Sequence, residues 1–149
     1  MQTACRAGEP TVADSHVLAR QVARAEGGLQ VVSADWPVDV EQFAQGNAHR
    51  TREKYQLPEK AFVVGHVGRL APEKNLPFLA EAVAEFLRRH RDAHWIIGGS
   101  GPSEEAIREV CKRRKVLQRV HFAGVCTGQD LVDAYHAMDV FAFASHTET

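Results

Sequence analysis

From Phe62 onward, short apolar runs alternate with segments that have the apolar spacing of a helix. The four runs, residues 62–67, 94–97, 119–123 and 140–144, have the length and composition of buried strands. Strands that alternate with helices of this length pair in parallel and are joined by right-handed crossovers. The pattern therefore predicts an α/β fold, a Rossmann-like parallel sheet with helices on both faces.

The intervening segments predict helices over residues 75–90, 103–115 and 130–137. Asn75 and Ser103 precede the first two helices, where a short polar side chain can accept a hydrogen bond from a free backbone N–H. Both residues are therefore predicted to be N-caps.

The first 60 residues are less regular than the rest of the chain. They predict a helix over residues 14–26, a strand over 29–32 and a short helix over 50–55, with an irregular crossing segment over 35–43. This part of the chain carries no second alternating pattern of strands and helices.

The composition excludes several classes of protein. A formal net charge of −1 argues against a nucleic-acid binder, which normally carries a basic surface. Three cysteines (Cys5, Cys111 and Cys126) without CxxC spacing indicate neither a disulfide framework nor a zinc cluster. The N-terminus lacks the apolar core of a signal peptide, and no apolar run approaches the roughly 20 residues of a bilayer span. A cytoplasmic protein is the expected result.

Four loops follow the predicted strands: residues 68–74, 98–102, 124–129 and 145–149. The carboxyl ends of parallel strands share one edge of the sheet, and ligands of such sheets bind there. We expect the functional residues in these loops.

The first loop carries Gly68, Arg69 and Lys74. Gly68 permits a tight turn and a close approach of a ligand. The planar donor fork of Arg69 and the compact charge of Lys74 suit a diphosphate. Taken alone, the stretch fits a surface loop with two solvated cations equally well.

The second loop reads Gly98-Gly99-Ser100-Gly101-Pro102. It lacks the third glycine of a G-x-G-x-x-G fingerprint, because Glu104 stands there, which argues against a nicotinamide-binding domain. Gly99 and Gly101 bring the backbone close either to a ligand at a helix N-terminus or to a neighbouring loop for steric reasons alone. Both explanations remain open.

Other polar residues carry weaker signals. His66 is predicted to be a hydrogen-bonded core histidine, because it lies in a buried strand. Cys126 is predicted to pack in its loop, since no basic residue adjoins it in the sequence to lower its pKa. Glu148 can accept hydrogen bonds from sugar hydroxyls, or it is a solvated loop acid, and adjacent His146 has only a weak case for catalysis.

The ordered motifs G-R-L-x-x-E-K-N, G-x-G-P, F-x-G and S-x-x-E-T, within residues 68–149, resemble one family. They are similar to the donor-nucleotide domain of retaining GT-B glycosyltransferases, known as group 1 or family 4. The resemblance implies transfer of a sugar from a nucleotide-sugar donor to an acceptor with retention of configuration and without a metal or other cofactor.

The resemblance implies catalytic roles for Arg69, Lys74 and Glu148. It implies donor binding by these three residues and by Gly68, Gly99, Gly101, Val125, Cys126, Thr147 and Thr149. In the family, the cations hold the diphosphate, the glutamate contacts the donor sugar, and the loop after F-x-G lies beside the base.

Residues 141–149 are similar to the branch that includes diacylglycerol glucosyltransferases. This similarity implies a UDP-sugar donor, favoured over a GDP-sugar, with UDP-glucose the first candidate. It also implies a sugar or lipid acceptor and peripheral membrane contact through the family's N-terminal domain.

The resemblance divides the chain into three parts. Residues 1–34 resemble the tail of the N-terminal acceptor domain, residues 35–60 a crossing segment, and residues 61–149 a donor domain without its C-terminal part, so half of a GT-B fold. We expect the chain to be an enzyme fragment without turnover, with Phe141 and Phe143 partly uncovered. A catalytically inactive nucleotide-sugar-binding fragment and a nucleotide-sugar 2-epimerase of related architecture are the alternatives.

Overall fold

The computed structural model describes residues 11–13, 31–33 and 38–145. The chain forms two compact units, one within residues 1–39 and one within residues 40–148. In the first unit, β1 (Thr11–Ala13) pairs in parallel with β2 (Val31–Ser33). The predicted strand over 29–32 overlaps β2, and the predicted helix over 14–26 lies outside the described residues.

The second unit contains the predicted alternation of strands and helices. Its strands are β3 (Phe62–Val67), β4 (Ala93–Gly98), β5 (Val120–Gly124) and β6 (Val140–Phe141). Its helices are α1 (Val40–Ala44), α2 (Ala48–Lys54), α3 (Leu76–Arg89), α4 (Glu104–Arg113) and α5 (Gly128–Ala137). Short 3₁₀ turns span Pro72–Lys74 and Leu117–Arg119.

The four strands form one parallel sheet in the order β5-β4-β3-β6. From β3 the chain first builds outward through β4 and β5 and then returns to place β6 on the other side of β3. This reversal is the topological switch point of a doubly wound sheet, where a crevice opens at the carboxyl ends of the strands. The predicted fold class is confirmed.

The sheet is covered on both faces. Val64, Trp95 and Ile97 belong to the larger apolar cluster, which includes the buried residues of α3 and α4. Val63 and Ile96 point to the opposite face, where they pack with Ala137 of α5. Neighbouring strand residues thus alternate between the two helix layers, as the period of a strand requires.

Asn75 and Ser103 occupy the predicted N-cap positions of α3 and α4, but the predicted capping hydrogen bonds are wrong. Among the described residues, neither the Asn75 nor the Ser103 side chain forms a capping hydrogen bond. Asn75 adopts a left-handed conformation (φ 49°), because it ends the preceding 3₁₀ turn and donates its N–H to the Pro72 carbonyl. Ser103 donates its own N–H to the Leu70 carbonyl at 2.8 Å, so its position is set by the neighbouring loop.

Two further predictions need correction. The strand predicted over 140–144 ends at Phe141, because the chain leaves β3 after the pairs Val64–Val140 and Gly65–Phe141. The segment predicted to be irregular contains helix α1. The expected exposure of Phe141 and Phe143 is confirmed. None of the helices in the described residues has the length and apolar composition that a bilayer span requires.

A histidine pair lies across β4 and β5. His94 Nδ1 and His121 Nε2 are 3.1 Å apart, so one nitrogen donates and the other accepts. Burial lowers the pKa of His94, and the charge of Arg119 lowers this pKa further, against a smaller opposing effect of Asp92. Burial also lowers the pKa of His121, as does the neighbouring His94. The folded chain therefore favours the neutral pair.

This pair predicts a loss of stability in acid. Because both pKa values are lower in the folded chain than in the unfolded chain, the unfolded chain binds more protons as the pH falls below the ordinary histidine pKa. We expect the free energy of unfolding to fall between about pH 7.5 and pH 5, measured by urea unfolding at several pH values. A His94→Gln/His121→Gln variant should show a shallower dependence, and an unchanged slope contradicts the assignment.

Candidate functional site

The loops after β3, β4 and β5 are joined by backbone hydrogen bonds. The bonds run from Gly68 N–H to the Gly98 carbonyl (3.0 Å), from Leu70 N–H to the Ser100 carbonyl (3.0 Å), and from Gly99 N–H to the Gly124 carbonyl (2.6 Å). This network holds the first loop, which carries Arg69, against the second.

The glycines of the second loop fit directly against the backbone of the first. A Cβ atom at Gly99 would overlap the carbonyl oxygen of Gly68, and one at Gly101 would lie 2.5 Å from the carbonyl oxygen of Leu70. Gly99 also has a φ of 126°, which residues with a side chain rarely adopt. Packing between loops therefore requires these glycines, and their contact with a nucleotide remains a prediction.

Arg69 and Lys74 lie near the two ends of the loop over residues 68–74, which follows β3. The Arg69 side chain is 79% exposed and donates to the Glu73 carboxylate at 3.0 Å. An exposed ion pair of this kind contributes little to stability, so Arg69 can exchange Glu73 for an anionic ligand at small cost. Lys74 ends the 3₁₀ turn.

A cavity of about 210 Å³ opens at the carboxyl ends of β3 and β6, and we call it the switch-point cavity. Its walls are formed by His66, Val67, Gly68, Lys74, Phe141, Phe143 and Ser145. The structure thus brings the predicted residues Gly68 and Lys74 to one cavity at the expected edge of the sheet. Arg69 follows Gly68 directly in the chain but is not among the residues that line the cavity.

His66 is more than a core residue. It is 3% exposed, and its Nδ1 donates to the Ala142 carbonyl at 3.0 Å, so the predicted hydrogen-bonded core histidine is confirmed. Its ring also stacks on Phe141 at a centroid distance of 6.0 Å and forms part of the cavity wall. The sequence signal that was missed is its position, two residues before Gly68 at the carboxyl end of β3.

Val125 and Cys126 lie elsewhere, in the loop after β5. Val125 is exposed, whereas Cys126 is half-buried and lines a smaller cavity of about 70 Å³ with Lys54 and Asp130. The sequence showed no basic neighbour of Cys126, but the structure brings in Lys54 from α2. Burial nevertheless raises the pKa of Cys126 and outweighs the opposing effect of Lys54. The thiol is therefore protonated at neutral pH.

The remaining predicted residues, Thr147, Glu148 and Thr149, lie outside the described residues, as does His146. Ser145, which opens their motif, does line the switch-point cavity. The first residue of the motif therefore lies at the cavity wall. The roles of Thr147, Glu148 and Thr149 stay predictions.

Residues 47–149, more than two thirds of the chain, match the family described as glycosyl transferases group 1. The chain belongs to this family. The predicted resemblance to group 1 is confirmed, whereas retention of configuration and the diacylglycerol glucosyltransferase branch stay predictions.

Curated relatives of this group 1 chain are considerably longer than it is. A D-inositol 3-phosphate glycosyltransferase of Corynebacterium efficiens is 35% identical over an alignment of 120 residues, which covers 74% of this chain and 28% of that protein. An alpha-monoglucosyldiacylglycerol synthase of Acholeplasma laidlawii is 30% identical over 98 residues, which are 66% of this chain and 25% of the synthase. The chain thus spans about a quarter of the length of either relative.

Solved structures agree with the fold of this group 1 chain. HepE from Anabaena, crystallised with UDP-glucose, superposes with a TM-score of 0.72 at 23% identity and covers 91% of this chain and 38% of HepE. At this identity the similarity concerns the fold, and it supports the α/β architecture described above.

Proposed function

We propose that this chain binds the nucleotide-sugar donor of a retaining glycosyltransferase, with UDP-glucose or a close analogue as the donor. The observation that carries the proposal is the switch-point cavity, where Lys74 stands beside the Gly68 loop. Ligands of doubly wound sheets bind in this crevice. The UDP-glucose bound by the Anabaena neighbour supports the choice of donor over a GDP-sugar.

The proposed chemistry breaks the bond between the anomeric carbon of the sugar and the diphosphate oxygen. The sugar passes to an acceptor oxygen, and negative charge develops on the departing diphosphate. Arg69 and Lys74, both in the loop after β3, would stabilise this charge without a metal ion. Glu148 would contact the donor sugar, and Val125 and Cys126 would lie beside the base.

We further propose a lipid acceptor for the whole protein, at the surface of a cytoplasmic membrane. The support is the pattern of residues 141–149 and the similarity to the Acholeplasma synthase, whose name specifies a glycolipid product. A second candidate is that these 149 residues bind the donor without transferring the sugar. This candidate is favoured because the chain matches only 28% and 25% of the two relatives. The match to the group 1 glycosyl transferases does not favour the alternative of a nucleotide-sugar 2-epimerase.

The donor site predicts a specific loss of binding. An Arg69→Ala/Lys74→Ala variant should bind UDP-glucose at least about 10-fold more weakly, because two charge-assisted contacts to the diphosphate are removed. Isothermal titration calorimetry with UDP-glucose, UDP and GDP measures this loss and the preference for the base. Thermal unfolding should change little, since the Arg69–Glu73 pair is exposed.

A matched control removes one lysine and one arginine from the opposite end of the sheet, where the strands begin. Lys60 and Arg91 are exposed and precede β3 and β4. A Lys60→Ala/Arg91→Ala variant should bind UDP-glucose like the unaltered chain. Equal losses in the two variants would indicate a general charge effect and would contradict the proposed diphosphate site.

A further inference from the structure

The backbone after β6 is held in an unusual way. The ladder with β3 reaches Gly65 and Phe141, and the Ala142 N–H then donates to the Gly65 carbonyl at 2.8 Å. The next hydrogen bond comes from a side chain, since His66 Nδ1 donates to the Ala142 carbonyl at 3.0 Å. Both polar groups of Ala142 are thus bound by consecutive residues of β3.

The segment that follows forms one wall of the switch-point cavity. Phe143 and Ser145 line the cavity from this segment, and Gly68 and Lys74 line it from the loop after β3. Among the described residues, the Ser145 hydroxyl is buried without a hydrogen-bond partner. Buried hydroxyls are nearly always paired, so this oxygen is a candidate contact for a ligand in the cavity.

We infer that His66 is a positioning residue of the donor site. Its imidazole N–H, bound to the Ala142 carbonyl, holds the segment after β6 beside the carboxyl end of β3, where Phe143 and Ser145 line the cavity together with Lys74. The backbone contact with β3 reaches the Ala142 N–H, and the bond from His66 to the Ala142 carbonyl extends it by one further group. The inference rests on the proposed function in one respect, namely that the ligand is a nucleotide sugar.

Without this hydrogen bond, the Ala142 carbonyl loses its donor and the segment can adopt other positions. Only the fraction of molecules with the wall in place would then bind the donor, and the apparent affinity would fall by that fraction. A buried hydrogen bond of ordinary strength corresponds to a roughly 3- to 10-fold change in affinity. The effect should concern the sugar end of the donor, because Ser145 opens the motif whose Glu148 is predicted to contact the donor sugar.

Three substitutions separate the hydrogen bond from the packing of the ring. His66→Phe keeps an aromatic ring beside Phe141 but cannot donate. His66→Asn places an amide donor where Nδ1 stands, whereas His66→Gln places one where Nε2 stands. We expect the Asn variant to retain the contact and the Phe and Gln variants to lose it, so the Gln variant provides the test should the Phe variant not fold.

Two measurements on the full chain decide the inference. Hydrogen exchange without ligand should be faster at the Ala142 N–H, which donates to the Gly65 carbonyl, in the Phe and Gln variants and unchanged in the Asn variant. UDP-glucose should bind roughly 3- to 10-fold more weakly to the same two variants, whereas UDP, which lacks only the glucose, should bind all forms equally. Loss of stability alone would weaken both ligands and would not be rescued by Asn.

The outcomes that contradict the inference differ from those that contradict the proposed function. Unchanged exchange in the Phe and Gln variants shows that His66 does not position the segment. Faster exchange with undiminished UDP-glucose affinity shows that the segment does not serve the donor. If the unaltered chain binds no UDP-glucose, the proposed function fails and the donor role of His66 with it, while the exchange data still decide the contact itself.

Discussion

Gly99→Ala should lower the free energy of unfolding by more than about 3 kcal/mol and abolish donor binding. The new Cβ atom would overlap the Gly68 carbonyl, which belongs to backbone and cannot rotate away as a side chain can. Relief requires moving the loop that carries Arg69, and with it the hydrogen bond from Gly68 to Gly98. Urea unfolding and titration with UDP-glucose measure the two effects.

Gly128→Ala is the matched control for this prediction. Gly128 also has a positive φ (53°), but no atom lies within 4 Å of its missing Cβ. Alanine there should cost only the backbone strain of a left-handed residue, about 1–2 kcal/mol, with donor binding retained. The difference between the two variants combines the overlap with Gly68 and the costlier backbone conformation of Gly99 (φ 126°). Equal losses would show that conformational strain alone explains Gly99.

The order of strands and helices was predictable because its signals are local. Strands β3 and β4 are short apolar runs between turns, and α3 places buried leucines at helical spacing. Parallel pairing then follows from the length of the connections. The edge of the sheet that carries the site follows from the same rule, which is why Gly68 and Lys74 were found at the expected place.

Features that depend on distant parts of the chain were not predictable. The cap at Asn75 is displaced by a preceding 3₁₀ turn, and Ser103 is oriented by the carbonyl of Leu70 in another loop. His66 and its acceptor Ala142 are 76 positions apart. Local spacing identified His66 as buried, but only the return of β6 beside β3 makes it a wall of the cavity.

Arg52 shows the same long-range dependence. Its guanidinium, on α2, donates to the carbonyls of Ala61 (3.0 Å) and Ala137 (3.2 Å) and to the carboxylate of Asp139 (3.3 Å). Asp139 in turn accepts the Val63 N–H at 2.7 Å. One side chain therefore joins α2, the start of β3, the end of α5 and the residue that precedes β6.

Arg52→Met should lower the free energy of unfolding by about 2–4 kcal/mol. Methionine keeps an unbranched apolar stem, but three carbonyls, including a distant one at Glu59 (3.5 Å), and a carboxylate lose a donor. The Arg52 side chain is only 22% exposed. Because Asp139 also fixes the start of β6 against Val63, hydrogen exchange at β6 should rise with this loss. Urea unfolding and exchange measurements on the same variant check both expectations.

The control for Arg52 is Arg88, which is 53% exposed and bonds Glu85 on its own helix. Exposed pairs of this kind contribute between about 0 and 1 kcal/mol, so Arg88→Met should be nearly neutral. If Arg52→Met is equally mild, water replaces the lost donor and the position of β6 depends on its backbone ladder alone. A large loss of stability in Arg52→Met alone would instead show that a side chain on α2 holds β6 in position. The adjoining wall of the switch-point cavity would then depend on Arg52 as well.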